Sequence, residues 1–278
     1  MEFRNCWAKI NLSLRVVGRL QSGYHDLCSV FFKIGPVDCL TINEDVEDNV
    51  RVIFSRTKSG IQGRNILLKA LDRIRAAGIA VPPLDMRLEK RVPPGTGLGG
   101  GSGDAAALLD YLASAGYPVG RFAAEIGADV PFLLSRVSAA LARGAGEKLS
   151  PLQASPAQWR VVVAIPTWRC VTADMFARLD EYFHDEWKST SERACSEARQ
   201  VFDRLVRGEF CGLLPNDFSD LLLRERGEYR ALFADFYRSG AIAWGISGSG
   251  SSAFALWNKN DFRGFSTALP WVEDVLVF

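Results

Sequence analysis

The sequence predicts an α+β chain in two parts, and three observations carry that expectation. Apolar residues alternate with polar ones over Ala8–Leu14 and again over Leu84–Glu89, the two-residue period of strands. Asn65–Ala77 instead places Ile66, Leu67, Ala70, Leu71 and Ile74 on a helical period and is closed by Gly78. Pro151–Gln158 is polar and proline-marked, which makes it the best boundary, dividing the chain into 1–150 and 151–278. At 278 residues each part is long enough to bury a core of its own.

In order along the first part, Ala8, Ile10, Leu12 and Leu14 face one way while Lys9, Asn11 and Ser13 face the other. Gly18–Gly23 reads as a loop, Leu27–Ile34 as a second strand, and Cys39–Ile42 and Val50–Phe54 as further short ones. After the helix at Asn65–Ala77 and the strand at Leu84–Glu89, an alanine-led helix runs from near Ser102 or Asp104 to Ala115, with a short helix from Gly120. Val137–Ala142 is a strand, and Arg143–Gly146 a turn. In the second part Arg160–Ile165 is a buried strand. Helices are expected near Ala173–Asp180, Ser191–Val206, Asp217–Leu223 and Glu228–Arg238. Strands Ala241–Trp244 and Ser252–Trp257, a helix at Phe262–Leu269 and a strand at Val272–Val277 close the chain.

With 33 basic against 32 acidic residues and no block of like charge, nothing points to nucleic acid or a membrane surface. An anionic ligand has to be met by local groups. Six scattered cysteines without a C-x-x-C pair suggest reduced thiols, not a zinc site or disulfide framework. No secretion-signal pattern and no apolar run long enough to span a bilayer are seen, so the expected place is the cytoplasm.

The most informative stretch is Pro93–Leu109, PPGTGLGGGSGDAAALL, with six glycines from Gly95 to Gly103 running into a helix. Glycine leaves backbone N–H groups bare, and the positive end of a following helix adds to the concavity, which suits a phosphate chain. The plain alternative is a flexible linker. The Walker A pattern fails because Gly101 stands where its lysine belongs. Gly95, Gly97 and Gly100 match the dinucleotide fingerprint, but no second strand ending in an acidic residue follows on schedule.

Strand, Pro93-to-Gly97, Leu98, Gly99, Ser102, helix resembles the phosphate-binding motif of the galactokinase, homoserine kinase, mevalonate kinase and phosphomevalonate kinase (GHMP) superfamily. The segments AKINLSLRVVGRLQSGYHDL (Ala8–Leu27), GADVPF (Gly127–Phe132) and GISGSGSSAF (Gly245–Phe254) resemble the family's opening, its catalytic-aspartate segment and its third motif, in the right order. The resemblance implies a ribosomal protein S5 domain 2-like N-terminal domain and a ferredoxin-like C-terminal domain, with the active site in the cleft between them. It further implies an ATP- and Mg²⁺-dependent kinase. The GLGGGS form and the SGYHDL segment resemble the branch acting on the 2-hydroxyl of a cytidine diphosphate-linked methylerythritol, in isoprenoid precursor synthesis. Another GHMP-type kinase acting on homoserine or mevalonate, or a catalytically silent nucleotide-binding homologue, is the alternative. A monomer or weak homodimer is expected.

On that resemblance, Pro94, Gly95, Thr96, Gly97, Leu98, Gly99, Gly100, Gly101, Ser102 and Gly103 form the phosphate cradle. Asp129 is the proton acceptor and Lys9 its partner, holding the carboxylate ionised. Taken alone, Asp129 reads equally as a cap on the following PFLL segment, and Lys9 as a solvated strand residue. Asn11, Tyr24, His25, Thr172 and Phe176 are expected at the substrate, with Tyr24, His25 and Phe176 about the base; ordinary core packing is the alternative for each aromatic. His25 is preferred to His184, the second histidine. Ser247, Gly248, Ser249 and Gly250 approach phosphates or substrate, or are simply a tight turn. Asn216 and Asp217 are sufficiently explained as helix caps. The family typically has two serines in the loop, whereas this chain has Ser102 then Gly103, so a hydroxyl is missing. Asp104 is given no catalytic role, and no residue is assigned as a metal ligand.

Overall fold

A computed structural model of the chain describes residues 1–55, 63–153, 158–183, 187 and 189–278. Two compact units are present: Met1–Lys9, Ile34–Pro94 and Gly99–Arg136 form the first, and Ile10–Lys33, Gly95–Leu98 and Val137–Phe278 the second. His184 and residues 154–157 of the expected boundary lie outside the described residues.

Strands β1 (Glu2–Arg19) and β2 (His25–Glu44) pair with each other, and each contributes to both units. The runs expected as separate strands at Leu27–Ile34 and Cys39–Ile42 are therefore one. Pro36 does not end the strand because it falls between two ladders, Leu27–Phe32 against one neighbour and Cys39–Glu44 against another.

In the first unit β4 (Leu84–Lys90) runs antiparallel to Cys39–Glu44, and β3 (Asn49–Phe54) lies parallel to β4. Leu84, Met86 and Leu88 are buried while Arg87 and Glu89 face out, as the alternation predicts. Helix α1 (Ile66–Ala76) starts where Asn65 Oδ1 accepts the Leu67 N–H at 2.8 Å, and ends before Gly78 at φ +84°. Leu67, Ala70, Leu71 and Ile74 form its buried face. Helix α2 (Gly100–Ser114) begins earlier than expected, on Gly99 in the left-handed region at φ +67°. Its alanines let α1 and α4 (Val130–Leu134) pack closely upon it, with α3 (Ala123–Ile126) beside them.

In the second unit Leu27–Phe32 pairs with β5 (Ala139–Gly144), which pairs with β6 (Lys148–Leu152), a strand the sequence reading missed. A five-stranded sheet has the order β11 (Val272–Val277), β7 (Trp159–Pro166), β10 (Ala253–Asn258), β9 (Ala243–Ile246), β8 (Gly212–Leu213). Val162, Ala164, Ala253 and Ala255 of this sheet share a core with Leu14, Val16 and the apolar faces of α5 (Thr172–Phe183), α7 (Asp217–Glu225) and α8 (Tyr229–Arg238). Helix α6 (Ser191–Val206) lies against β5.

The helix expected at Phe262–Leu269 is absent; that segment is irregular. Phe262, Phe265 and Leu269 each pack separately on the core, which gave the sequence its helix-like spacing. Gly264 at φ +99° and the Thr267 hydroxyl, which donates to Asp235 Oδ2, hold the chain in a non-helical path. No helix among the described residues is long and apolar enough to cross a membrane. All six cysteines are free thiols.

Candidate active site

The glycine loop is built by close backbone approach. Gly95, Gly97 and Gly99 all have positive φ, +76°, +74° and +67°. A Cβ on Gly97 would lie 2.0 Å from the Ser247 carbonyl oxygen, so only glycine fits. Within the second unit the loop is tied down through its carbonyls. Cys170 N–H and Ser251 N–H donate to Gly95 O, Ser252 N–H to Thr96 O, and the Ser247 hydroxyl to Gly97 O at 2.9 Å. The second glycine–serine loop, Ser247–Gly250, thus braces the first; Asn216 holds it in turn by donating to Ile246 O and Gly248 O. Ser249 Oγ donates to Thr172 Oγ1 at 3.4 Å. Asn216 also caps α7, accepting from Phe218 N–H at 2.9 Å, and Asp217 accepts from Val16 N–H and Arg15.

In the first unit the loop passes into α2, whose leading N–H groups at Gly100, Gly101 and Ser102 have no intrahelical acceptor. A Cβ on Gly101 would meet nothing within 4 Å, so open space faces the helix start there. Gly103 is different: a Cβ would lie 1.9 Å from the Trp7 carbonyl oxygen. The missing second serine is therefore a packing feature, because β1 occupies the room its side chain would need.

Lys9 and Asp129 are brought together at the same loop. Lys9 Nζ lies 3.6 Å from Asp129 Oδ2, and a Cβ on Gly99 would stand 3.1 Å from that oxygen. Asp129 occupies the N-cap position of α4, yet its side chain makes no capping hydrogen bond. Lys9 is buried, not the solvated strand residue of the plain reading. On the same strand Asn11 donates to Ser29 Oγ at 2.8 Å, and Ser13 Oγ accepts from Val30 N–H.

His25 and Phe176 are also joined. Their rings stack with centroids 4.4 Å apart and planes 18° apart, and His25 Nε2 sits 2.7 Å from Asp180 Oδ1. Phe176 meets Phe218 edge-on at 4.9 Å. Tyr24 is not part of this stack and is 67% exposed.

Two features of the first unit escaped sequence reasoning. A cavity of about 400 Å³ opens beside the start of α2, lined by Arg64, Asn65, Ile66, Lys69, Pro94 and Gly101 among others. Lys90 and Asp104 are among its lining residues, and Lys90 Nζ bridges Asp38 Oδ2 at 2.8 Å and Asp104 Oδ2 at 2.6 Å with all three side chains buried. Asp38 also accepts the N–H groups of Arg91 and Val92. The buried Cys6 thiol is a further hydrogen-bonding neighbour of the Asp104 carboxyl. Burial pushes the Asp104 carboxyl up to about 7; Lys90 opposes that shift and Asp38 adds to it. Two buried carboxylates around one ammonium leave a net negative charge, and the proton that relieves it goes to the carboxylate without backbone donors. For Lys90 burial alone acts downward, but the two neighbouring carboxylates outweigh it and its pKa is raised. The sequence did hold a signal: Lys90 falls in phase with Leu84, Met86 and Leu88.

Among the described residues no group of three or more side chains suited to a metal ion occurs. Within the first unit, the bare backbone of Gly99–Gly101 and the open start of α2 fit a phosphate group.

The GHMP kinases N terminal domain matches residues 65–135. The 4-diphosphocytidyl-2-C-methyl-D-erythritol kinase of Nitratidesulfovibrio vulgaris (strain DP4) is 35% identical over 263 residues, 91% of this chain and 89% of the relative. That of Chloroherpeton thalassium is 30% identical over 266 residues, 92% of this chain and 90% of the relative. A crystal structure of 4-(cytidine 5'-diphospho)-2C-methyl-D-erythritol kinase superposes with a TM-score of 0.77 at 29% identity, covering 99% of this chain and 98% of that one. With its two-sheet α+β architecture, its glycine loop and this likeness over nine-tenths of its length, the chain belongs to the 4-diphosphocytidyl-2-C-methyl-D-erythritol kinase family of the GHMP kinases.

Proposed function

We propose that this kinase transfers the γ-phosphoryl group of ATP to the 2-hydroxyl of 4-diphosphocytidyl-2-C-methyl-D-erythritol, giving the 2-phosphate and ADP on the route to isoprenoid precursors. The observation that carries the mechanism is the Lys9–Asp129 pair held against Gly99 of the phosphate loop. Asp129, uncommitted to capping, takes the hydroxyl proton as the oxygen attacks phosphorus. Lys9 orients that carboxylate and draws electron density from the attacking oxygen. The backbone of Gly95–Gly101 and the N–H groups opening α2 receive the phosphates, where the helix dipole favours negative charge. The cavity beside α2 takes the nucleoside of ATP: its apolar and basic lining meets the loop at Pro94 and Gly101. Mg²⁺ would supply charge neutralisation for the phosphates, and the Ser102 hydroxyl is a residue of this loop that would help to hold it. His25 and Phe176, with Tyr24 at the rim, receive the cytosine, while Asn11, Thr172 and the Ser247–Gly250 loop line the rest of the substrate path. Residues 1–150 carry the nucleotide end and 151–278 complete the enzyme, which works in the cytoplasm as a monomer or weak homodimer.

ADP release with Mg-ATP and the cytidine substrate, beside homoserine and mevalonate, tests this reading. Turnover is expected with the cytidine substrate alone, falling by about 10²–10⁴ in kcat for Asp129→Ala. Turnover of homoserine or mevalonate instead would overturn the substrate assignment, and an active Asp129→Ala enzyme would overturn the mechanism.

A further inference from the structure

His25 is held on three sides. Phe176 and Asp180 lie four residues apart on α5, so both project from one helix face. Phe176 stacks on the imidazole, Asp180 Oδ1 lies 2.7 Å from its Nε2, and Trp187 meets it edge-on at 5.8 Å. The other carboxylate oxygen of Asp180 pairs with Arg19 at the end of β1. The His25 and Asp180 side chains are only 10% and 19% exposed.

A ring used only as a stacking surface does not need its edge fixed in this way. A carboxylate accepts hydrogen bonds and donates none, so the hydrogen between His25 and Asp180 belongs to Nε2. In the neutral form of the ring this leaves Nδ1 as an acceptor. Arg19 donates to the far side of the same carboxylate and keeps it turned toward the ring. The exocyclic amine of cytosine is a donor that such an acceptor can take. The keto oxygen at the same position of uracil is an acceptor and would set lone pair against lone pair.

We propose that Asp180 is a positioning residue that sets the polarity of His25 and thereby makes the base site select an amino-pyrimidine over a keto-pyrimidine. The inference rests on the reading that His25 faces the base, and it goes beyond that reading by naming the group that decides which base is accepted.

Asp180→Asn tests it in the whole enzyme. A carboxamide has one accepting and one donating end. Arg19 can only donate, so it draws the amide oxygen and turns the NH₂ toward Nε2. The ring hydrogen then moves to Nδ1, which becomes a donor. Steady-state kinetics with the cytidine substrate and its uridine counterpart should show KM for the cytidine compound rising about tenfold more than for the uridine one. The effect on kcat should be smaller than on KM. Asp180→Glu, which keeps two acceptors, should recover much of the cytidine preference. If KM for both substrates shifts equally in Asp180→Asn, the polarity role is wrong and Asp180 is merely structural.

A second measurement needs no variant at Asp180. Imidazole nitrogen NMR of the wild-type protein, which has two histidines, reports the tautomer directly, with His25→Gln assigning the signal. A neutral ring with hydrogen on Nε2 alone is expected, and hydrogen on Nδ1, in a neutral ring or in an imidazolium, would overturn the inference. Absence of turnover with the cytidine substrate in the wild type removes the parent reading and this one together. Turnover by a wild type indifferent to the base removes this one alone.

Discussion

Lys9 with Asp129, and Lys90 with Asp38 and Asp104, are built from the same two residue types in the same compact unit. In the first cluster the ions stand 3.6 Å apart and the Asp129 side chain keeps 24% of its exposure. In the second they close to 2.6–2.8 Å, and no side chain is more than 3% exposed. On the proposed mechanism Asp129 receives the substrate proton, and a group with that task has to stay reachable and only loosely committed. A cluster that joins β2, β4 and α2 has to be sealed and tightly paired, because a buried charge without a partner is costly. Proximity of lysine to aspartate therefore says little by itself; what separates the two clusters is water.

The largest effect that separates them is on stability. Lys90→Ala leaves two carboxylates in the interior without their counter-charge and should lower stability by about 3–5 kcal/mol. Chemical denaturation and thermal melting measure it directly. Lys9→Ala should lower the melting temperature much less while reducing turnover at least as strongly as Lys90→Ala does in the protein that stays folded. Equal losses of stability in the two variants would erase the distinction drawn here.

How much of this was legible in the sequence follows from the range of the interactions. The glycine loop, α1 with its closing Gly78 and the alternation of β4 are local, and local spacing reveals them. The pairing of Lys9 with Asp129 was expected only through resemblance, since 120 positions separate the two and no local period links them. The sealed cluster was missed because Asp38, Lys90 and Asp104 come from three elements, although a lysine in phase with Leu84, Met86 and Leu88 was a visible anomaly. The role of α5 was half legible: Phe176 was singled out, but Asp180, one turn on, has meaning only once His25 lies beside it. The closing helix failed for a related reason. Phe262, Phe265 and Leu269 are spaced like a helix face, yet tertiary packing of each ring and side chain, not helix formation, satisfies them.

Gly103 sharpens the comparison from the loop side. It sits next to Asp104 on α2 with its Cα against the Trp7 carbonyl, two residues before Lys9. Restoring the usual serine, Gly103→Ser, should cost about 1–3 kcal/mol of stability through overpacking. A rise in activity without loss of stability would mean that β1 yields easily and that the glycine weakens catalysis after all. Melting curves and kcat/KM on the same preparation decide between the two.

Asp104→Asn removes one of the two sealed carboxylates while keeping its shape, leaving Lys90 and Asp38 as a balanced pair. The carboxyl pKa is raised from 3.8 to about 7 in the folded chain by burial and by the Asp38 charge, against the pull of Lys90. The fold therefore binds this proton more tightly than the unfolded chain does. Its contribution to stability is present in full below about pH 4 and is lost as pH rises toward 7. Wild-type stability should accordingly decline between pH 5 and pH 8 relative to Asp104→Asn, by about 2–3 kcal/mol, with the difference between the two curves constant below about pH 4. Groups remote from the cluster titrate identically in both proteins and cancel in the difference, so denaturation across that pH range isolates it. A wild type that gained stability relative to Asp104→Asn as pH rose would show that Lys90 holds both carboxylates ionised. The sealed cluster would then be a fully charged triad, and its contrast with the open pair would lie in burial alone.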